Sequence, residues 1–213
     1  MKTALTGTDI LINECDKALR ALFMKPQGTR PTPQTNSNKQ ETLSPTEIKQ
    51  SIELMRINHT GEVCAQALYQ GQAITARSNK IKTKMQEAAA EEIDHLEWCE
   101  TRLEGLGGRP SLLNPVWYVG SLTMGTIAGA LGDKWSLGFL QETETQVEKH
   151  LGNHLEKLSK NDFASRAIVA QMQIDEAQHA EMAKESGAAE LPNTVKWLMG
   201  KTANVMKAVA TKI

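Results

Sequence analysis

The chain has 213 residues, with 24 Lys and Arg against 25 Asp and Glu for a formal charge of -1. That length suits one well-cored domain with an appended arm, and the missing basic excess argues against nucleic acid as a partner. Three cysteines, Cys15, Cys64 and Cys99, form no C-x-x-C pair, so neither a disulfide framework nor a thiolate zinc site is expected, and a reducing compartment is. Asp9, Glu14 and Asp16 interrupt the apolar run a secretory signal would need.

In chain order, residues 8 to 23 read as an amphipathic helix with Ile10, Leu11, Leu19, Leu22 and Phe23 as its apolar set and Thr8 or Asp9 as its cap. This defines an N-terminal arm over 1–24. The polar, proline-bearing stretch that follows reads as a flexible linker over 25–43. Ser44-Pro45-Thr46-Glu47 then supplies a cap, a first-turn proline and a first-turn acid, opening a helical domain over 44–213. Four long helices are expected there, at roughly 45–77, 80–106, 133–159 and 162–186, with Gly107-Gly108 and Gly187 as terminators. Short polar turns between them imply an all-α antiparallel four-helix bundle. No charged residue lies between Arg109 and Asp133. Two prolines and four glycines make that segment a poor membrane span, and an interfacial or crossover helix forming a lipid-side entrance is expected instead.

Each long helix carries acids or histidines on its apolar stripe. The second steps through Met85, Ala88, Glu92, His95, Cys99 and Leu103, and the fourth through Ile168, Met172, Glu176, His179 and Ala183, so E-x-x-H occurs twice on a core face. The first adds Glu62, on a stripe with Met55, His59 and Tyr69. The third adds Glu144, since Glu142 lies off the stripe and Glu148 at its edge. Chance gives about 0.4 E-x-x-H matches in such a chain, so either match alone is weak. Glu62 and Glu92 are symmetric about position 77, and Glu144 and Glu176 about position 160, both in turn-forming sequence. At about 1.5 Å per residue, all six groups meet in one layer about 22 Å from the bundle end.

Four carboxylates buried together would cost several kcal/mol each without compensation. Two divalent cations with two neutral histidines balance them. One Glu from each of two helices and E-x-x-H from the other two is the di-iron or di-manganese pattern of helical bundles. Glu92 and Glu176 suit the bridging positions. Zinc or manganese would accept the same donors, so spacing alone does not establish iron.

With those residues identified, the chain resembles the demethoxyubiquinone hydroxylases, a ferritin-like di-iron family, over about residues 45–213. The resemblance rests on RINHTGE at Arg56–Glu62, EEIDHLEW at Glu91–Trp98, QETETQVEKHL at Gln141–Leu151 and DEAQHAEM at Asp175–Met182. It implies metal ligation and catalysis by Glu62, Glu92, His95, Glu144, Glu176 and His179. It further implies two iron ions and a monooxygenase that hydroxylates demethoxyubiquinol with O2, peripheral to the cytoplasmic face of a bacterial inner membrane. It leaves the homo-oligomeric state and partner proteins of a biosynthetic complex open. Tyr69, His150 and His59 are candidates for groups near the cluster or the quinone, and Asp94 and Asp175 for partners of the ligand histidines. Cys64 and Cys99 are expected as small buried apolar groups. Two rival readings remain: a ferritin-like protein that stores iron or reduces peroxide, and a membrane-associated scaffold with a structural metal. The uncharged 110–132 segment favours a lipid substrate over the former, and the carboxylate donor set disfavours the latter.

Overall fold

The computed structural model describes residues 6–34 and 42–213, apart from the side chains of Ile10 and Leu11. Among them the chain is all-α, without strands: α1 (Gly7–Phe23), α2 (Pro45–Thr75), α3 (Asn79–Gly105), α4 (Asn114–Ala130), α5 (Asp133–Lys157), α6 (Phe163–Glu185) and α7 (Asn193–Ala210). Local chemistry sets the starts. Ser44 accepts from the Glu47 N–H while Glu47 accepts from the Ser44 N–H, a closed capping box ahead of Pro45. The cap of α1 is Thr6, not Thr8 or Asp9, because Asp9 is the acid that answers Thr6 across the same kind of box. Asp162 caps α6 by accepting from the Ser165 N–H, and also holds Arg102 and Ser51. Gly107, at φ 74°, takes the left-handed conformation just beyond α3.

α2 and α3 form one antiparallel hairpin, and α5 and α6 the other. α4 connects them by running parallel to α2, from the Thr60–Asn114 hydrogen bond at its start to Thr75 near its end. Asp133 then accepts from the N–H groups of Arg77 and Ser78, returning the start of α5 to the α2–α3 turn. This single long crossover distinguishes the bundle from one joined by tight turns throughout. α4 lies close on α2, and a Cβ at Gly125 would collide with the Leu68 carbonyl oxygen. The opposite side of α4 exposes Val116, Val119, Met124 and Ile127, with Leu112 and Leu131 exposed just beyond its two ends. Trp117 and Leu122 are half-buried rather than on that outer face. No described helix is long and apolar enough to cross a membrane.

The core has two main apolar halves. Leu54, Met55, Trp98, Cys99, Leu103, Leu151, Ile168 and Met172 fill one. Tyr69, Ala73, Met85, Ala88, Leu137, Leu140 and Ala183 fill the other. On each of the four bundle helices the acidic layer falls between them. α1 packs through Ala18, Ala21 and Leu22, whereas Leu19 and Phe23, expected on its packing face, are exposed. Residues 25–34, expected within a flexible linker, include buried Pro26 and hydrogen bonds from Gly28, Thr29 and Arg30 to α3; 35–41 lie outside the described residues. α7 was not anticipated, and its one buried residue, Ala210, explains why no core stripe announced it.

Candidate metal centre

The i, i+3 spacing of each E-x-x-H places its two side chains on one helix face, and the hairpins bring the four faces together. Glu62, Glu92, His95, Glu144, Glu176 and His179 are all at most 6% exposed. Glu92 Oε2 lies 3.0 Å from His95 Nδ1 and its Oε1 3.1 Å from His179 Nδ1. Glu176 repeats the arrangement, with Oε1 3.5 Å from His95 Nδ1 and Oε2 3.4 Å from His179 Nδ1. Each carboxylate thus turns one oxygen to each imidazole. Glu62, 3.6 Å from His95 Nδ1, belongs to the His95 half. Glu144 accepts from the Tyr69 hydroxyl at 2.9 Å, and Tyr69 packs edge-on against His179, which places both in the other half.

The far nitrogen of each imidazole meets an acid from the opposite helix. His95 Nε2 donates to Asp175 at 2.9 Å and His179 Nε2 donates to Glu91 at 3.0 Å. Each acid immediately precedes the glutamate of the other motif, so the two motifs support one another crosswise. In the neutral imidazole, donation from Nε2 leaves the Nδ1 lone pair facing the centre. Glu91 was missed in the sequence, although the doubled acid Glu91-Glu92 parallels Asp175-Glu176. Asp94 touches neither histidine and accepts instead from Thr29 and Arg30.

Burial pushes Glu62 and Glu144 well above the usual carboxylate range, with neighbouring acids adding to the shift. Burial opposes charge on His179 too, but Glu176, Glu92 and Glu144 override it and push the imidazole up to about 12. The layer therefore demands positive charge. Glu92 Oε1, Glu176 Oε2 and His179 Nδ1 are buried there without a hydrogen-bond partner. Glu62, Glu92, His95 and Glu176 each offer a ligand atom within 4.8 Å of the others. Unpartnered oxygen and nitrogen donors facing one space fit divalent first-row metal ions.

Other candidates lie elsewhere. His150 is not brought to the layer: it packs against His154 at 3.9 Å between ring centres, and burial beside Lys207 and Lys157 pulls it down to about 3. His59 faces Asn114 and Glu100. Cys99 packs against Met172, and burial pushes the Cys64 thiol up to about 11, so neither is a ready thiolate.

Residues 49–210 match the family described as ubiquinone biosynthesis protein COQ7. The 3-demethoxyubiquinol 3-hydroxylase of Chromobacterium violaceum is 55% identical over 205 residues, covering 96% of this chain and 99% of that protein. Its namesake from Nitrosomonas europaea is 52% identical over 206 residues, covering 97% and 99%. A solved structure, the bacterioferritin-related protein of Bacteroides fragilis described as a dodecameric thioferritin, is 16% identical and covers 65% of this chain and 84% of that one with a TM-score of 0.56. At that identity it shows the fold alone, which is ferritin-like. The family match and these near full-length relatives, both carried on the helices that build the acidic layer, show that the chain belongs to the COQ7 family.

Proposed function

We propose that this chain is a 3-demethoxyubiquinol 3-hydroxylase, a di-iron monooxygenase of ubiquinone biosynthesis. The observation that carries the two-ion centre is the pair of glutamates, Glu92 and Glu176, each facing both imidazoles. Glu62 and His95 would complete one half-site, Glu144 and His179 the other. Iron bound there would supply the O2 chemistry that places one oxygen atom on the quinol ring and releases the other as water, with two electrons from an external donor and two protons.

The protein's part is access, orientation and exclusion of water. A cavity of about 590 Å³ between α1, α2 and α3 is lined by Tyr69, Met85, Ile93 and Leu96, with Lys17, Arg20 and Lys25 also lining it. Only Tyr118 comes from α4, so the substrate route proposed here runs beneath α1 rather than along the uncharged helix. The ring would approach from the Glu144 side, where Tyr69 donates to Glu144 and holds that carboxylate in one rotamer. Tyr69→Phe is expected to retain both metals while lowering kcat about 10- to 100-fold through loss of that positioning. Metal analysis beside steady-state turnover checks it, and unchanged kcat would remove Tyr69 from the chemistry.

The exposed α4 set, with Ile12, Leu19 and Phe23 exposed on α1, supports peripheral association with the cytoplasmic face of a bacterial inner membrane. Val119→Glu with Ile127→Glu is expected to abolish flotation with phosphatidylethanolamine–phosphatidylglycerol vesicles. Equal partitioning of variant and parent would refute this surface.

Reduced protein given 18O2 and a demethoxyquinol is expected to place one labelled atom in the new hydroxyl, read by mass spectrometry. Label in water alone with the quinol unchanged would favour an oxidase or peroxide-handling role, and iron accumulating beyond two per chain would favour storage.

A further inference from the structure

Arg30 precedes the family-matched region in sequence yet lies against the metal layer in space. The chain from Pro26 to Arg30 is laid on α3 as a strap. Gly28 N–H donates to Glu97 at 2.7 Å, Thr29 N–H to Asp94 at 2.5 Å, and Arg30 N–H to Asp94 at 3.2 Å. Trp98 Nε1 donates to the Arg30 carbonyl at 3.4 Å, and the guanidinium sits 4.9 Å above the Trp98 ring. A Cβ at Gly28 would collide with the Asp94 carboxylate, so the close approach depends on glycine. The strap also touches the substrate space, since Lys25, Pro26 and Gln27 line the cavity.

The guanidinium joins two acids. Arg30 Nε donates to Asp94 Oδ2 at 2.6 Å, and NH1 lies 2.9 Å from Asp175 Oδ2. That same Asp175 oxygen accepts from His95 Nε2, while Gln171 donates to Asp175 Oδ1 at 2.9 Å. The planar fork fixes the angle between the two acids, which an ammonium cannot do. The other half of the layer lacks this support: Glu91, the partner of His179, has a side chain 49% exposed and no arginine against it among the described residues.

We propose that Arg30 is a positioning residue for one half of the metal centre, fixing Asp175 and with it the His95 imidazole, whose Nε2 also lies 3.3 Å from the Arg30 Nη2, while the Glu144–His179 half stands without it. This rests on the two-ion reading given above. Its consequence is an asymmetric centre, in which the ion at Glu62 and His95 depends on a segment outside the bundle.

Metal-free protein titrated with Co(II), followed by equilibrium dialysis and visible absorption, tests this without turnover. The parent is expected to take two ions per chain. Arg30→Gln should hold one ion as the parent does and the second about 10- to 100-fold more weakly, the usual effect of losing an outer partner of a ligand. Arg30→Lys should resemble Arg30→Gln, because charge without the fork does not fix Asp175. Asp175→Asn should weaken the same ion, and the double variant should lose little more, since both changes act by one route. Parent-like binding of both ions by Arg30→Gln would overturn the proposal. So would equal weakening of both ions together with a lower metal-free melting temperature, the signature of a general structural role, or full recovery in Arg30→Lys. A parent that fails to take two Co(II) ions would instead remove the two-ion centre itself.

Discussion

Glu176→Ala is expected to bind neither ion of the pair and to lose hydroxylation, because one carboxylate serves both halves of the layer. Loss of an outer partner of a ligand costs about 10- to 100-fold in metal affinity, so loss of a ligand common to two ions should exceed about a hundredfold at each step. Stability should report the same event. A ligand at a thousand times its dissociation constant stabilises the folded state by about 4 kcal/mol, so the parent should melt well above its chelated form. Glu176→Ala should show no such difference. Glu142→Ala is the control, since that side chain pairs with Lys196 at 3.5 Å and Gln146 at 2.7 Å outside the layer. An interaction of that kind contributes about 1 kcal/mol or less, and metal content should be unchanged. Two irons retained in Glu176→Ala would sink the assignment of the bridge.

The six-residue layer was legible because helical periodicity turns ligand geometry into spacing. E-x-x-H puts two donors on one face, and turns midway between Glu62 and Glu92 and between Glu144 and Glu176 bring the pairs level. What failed to show lacks a periodic trace. Arg30 reaches Asp94 across 64 residues through a strap without regular structure, and its proline-bearing polar sequence looks like any linker. Asp94 stands two positions after Glu92, on the side of α3 that the strap covers, whereas Glu91 leans toward α6. His150 follows Glu144 by six positions, which is about 240° around the helix and off the metal face. α7 leaves Trp197, Leu198 and Val205 exposed, so its amphipathic pattern does not mark a core.

Gly125→Val is expected to destabilise the fold by more than about 3 kcal/mol, at the upper end of what overpacking usually does. The clash partner is the Leu68 carbonyl oxygen, with Leu68 C and Cα at 3.0 and 3.1 Å from a modest Cβ. Backbone inside a 31-residue helix does not rotate aside as a side chain would, so α4 must lift from α2. The inverted composition of α4 makes this contact decisive. Its inward side is partly glycine and packs by close backbone approach, with Tyr118 and Leu122 its inward large side chains, while Val116, Val119, Met124 and Ile127 are exposed and contribute little to holding it in place. Urea unfolding checks the point through a lower midpoint at unchanged slope. Gly120→Ala serves as the paired control, because a Cβ there meets nothing within 4 Å, and alanine in a helix should stabilise by about 0.5–1 kcal/mol. If Gly125→Val unfolded at the parent midpoint, the α2–α4 contact would not be what fixes the crossover, and the outward display of Val119 and Ile127 would lose its structural cause.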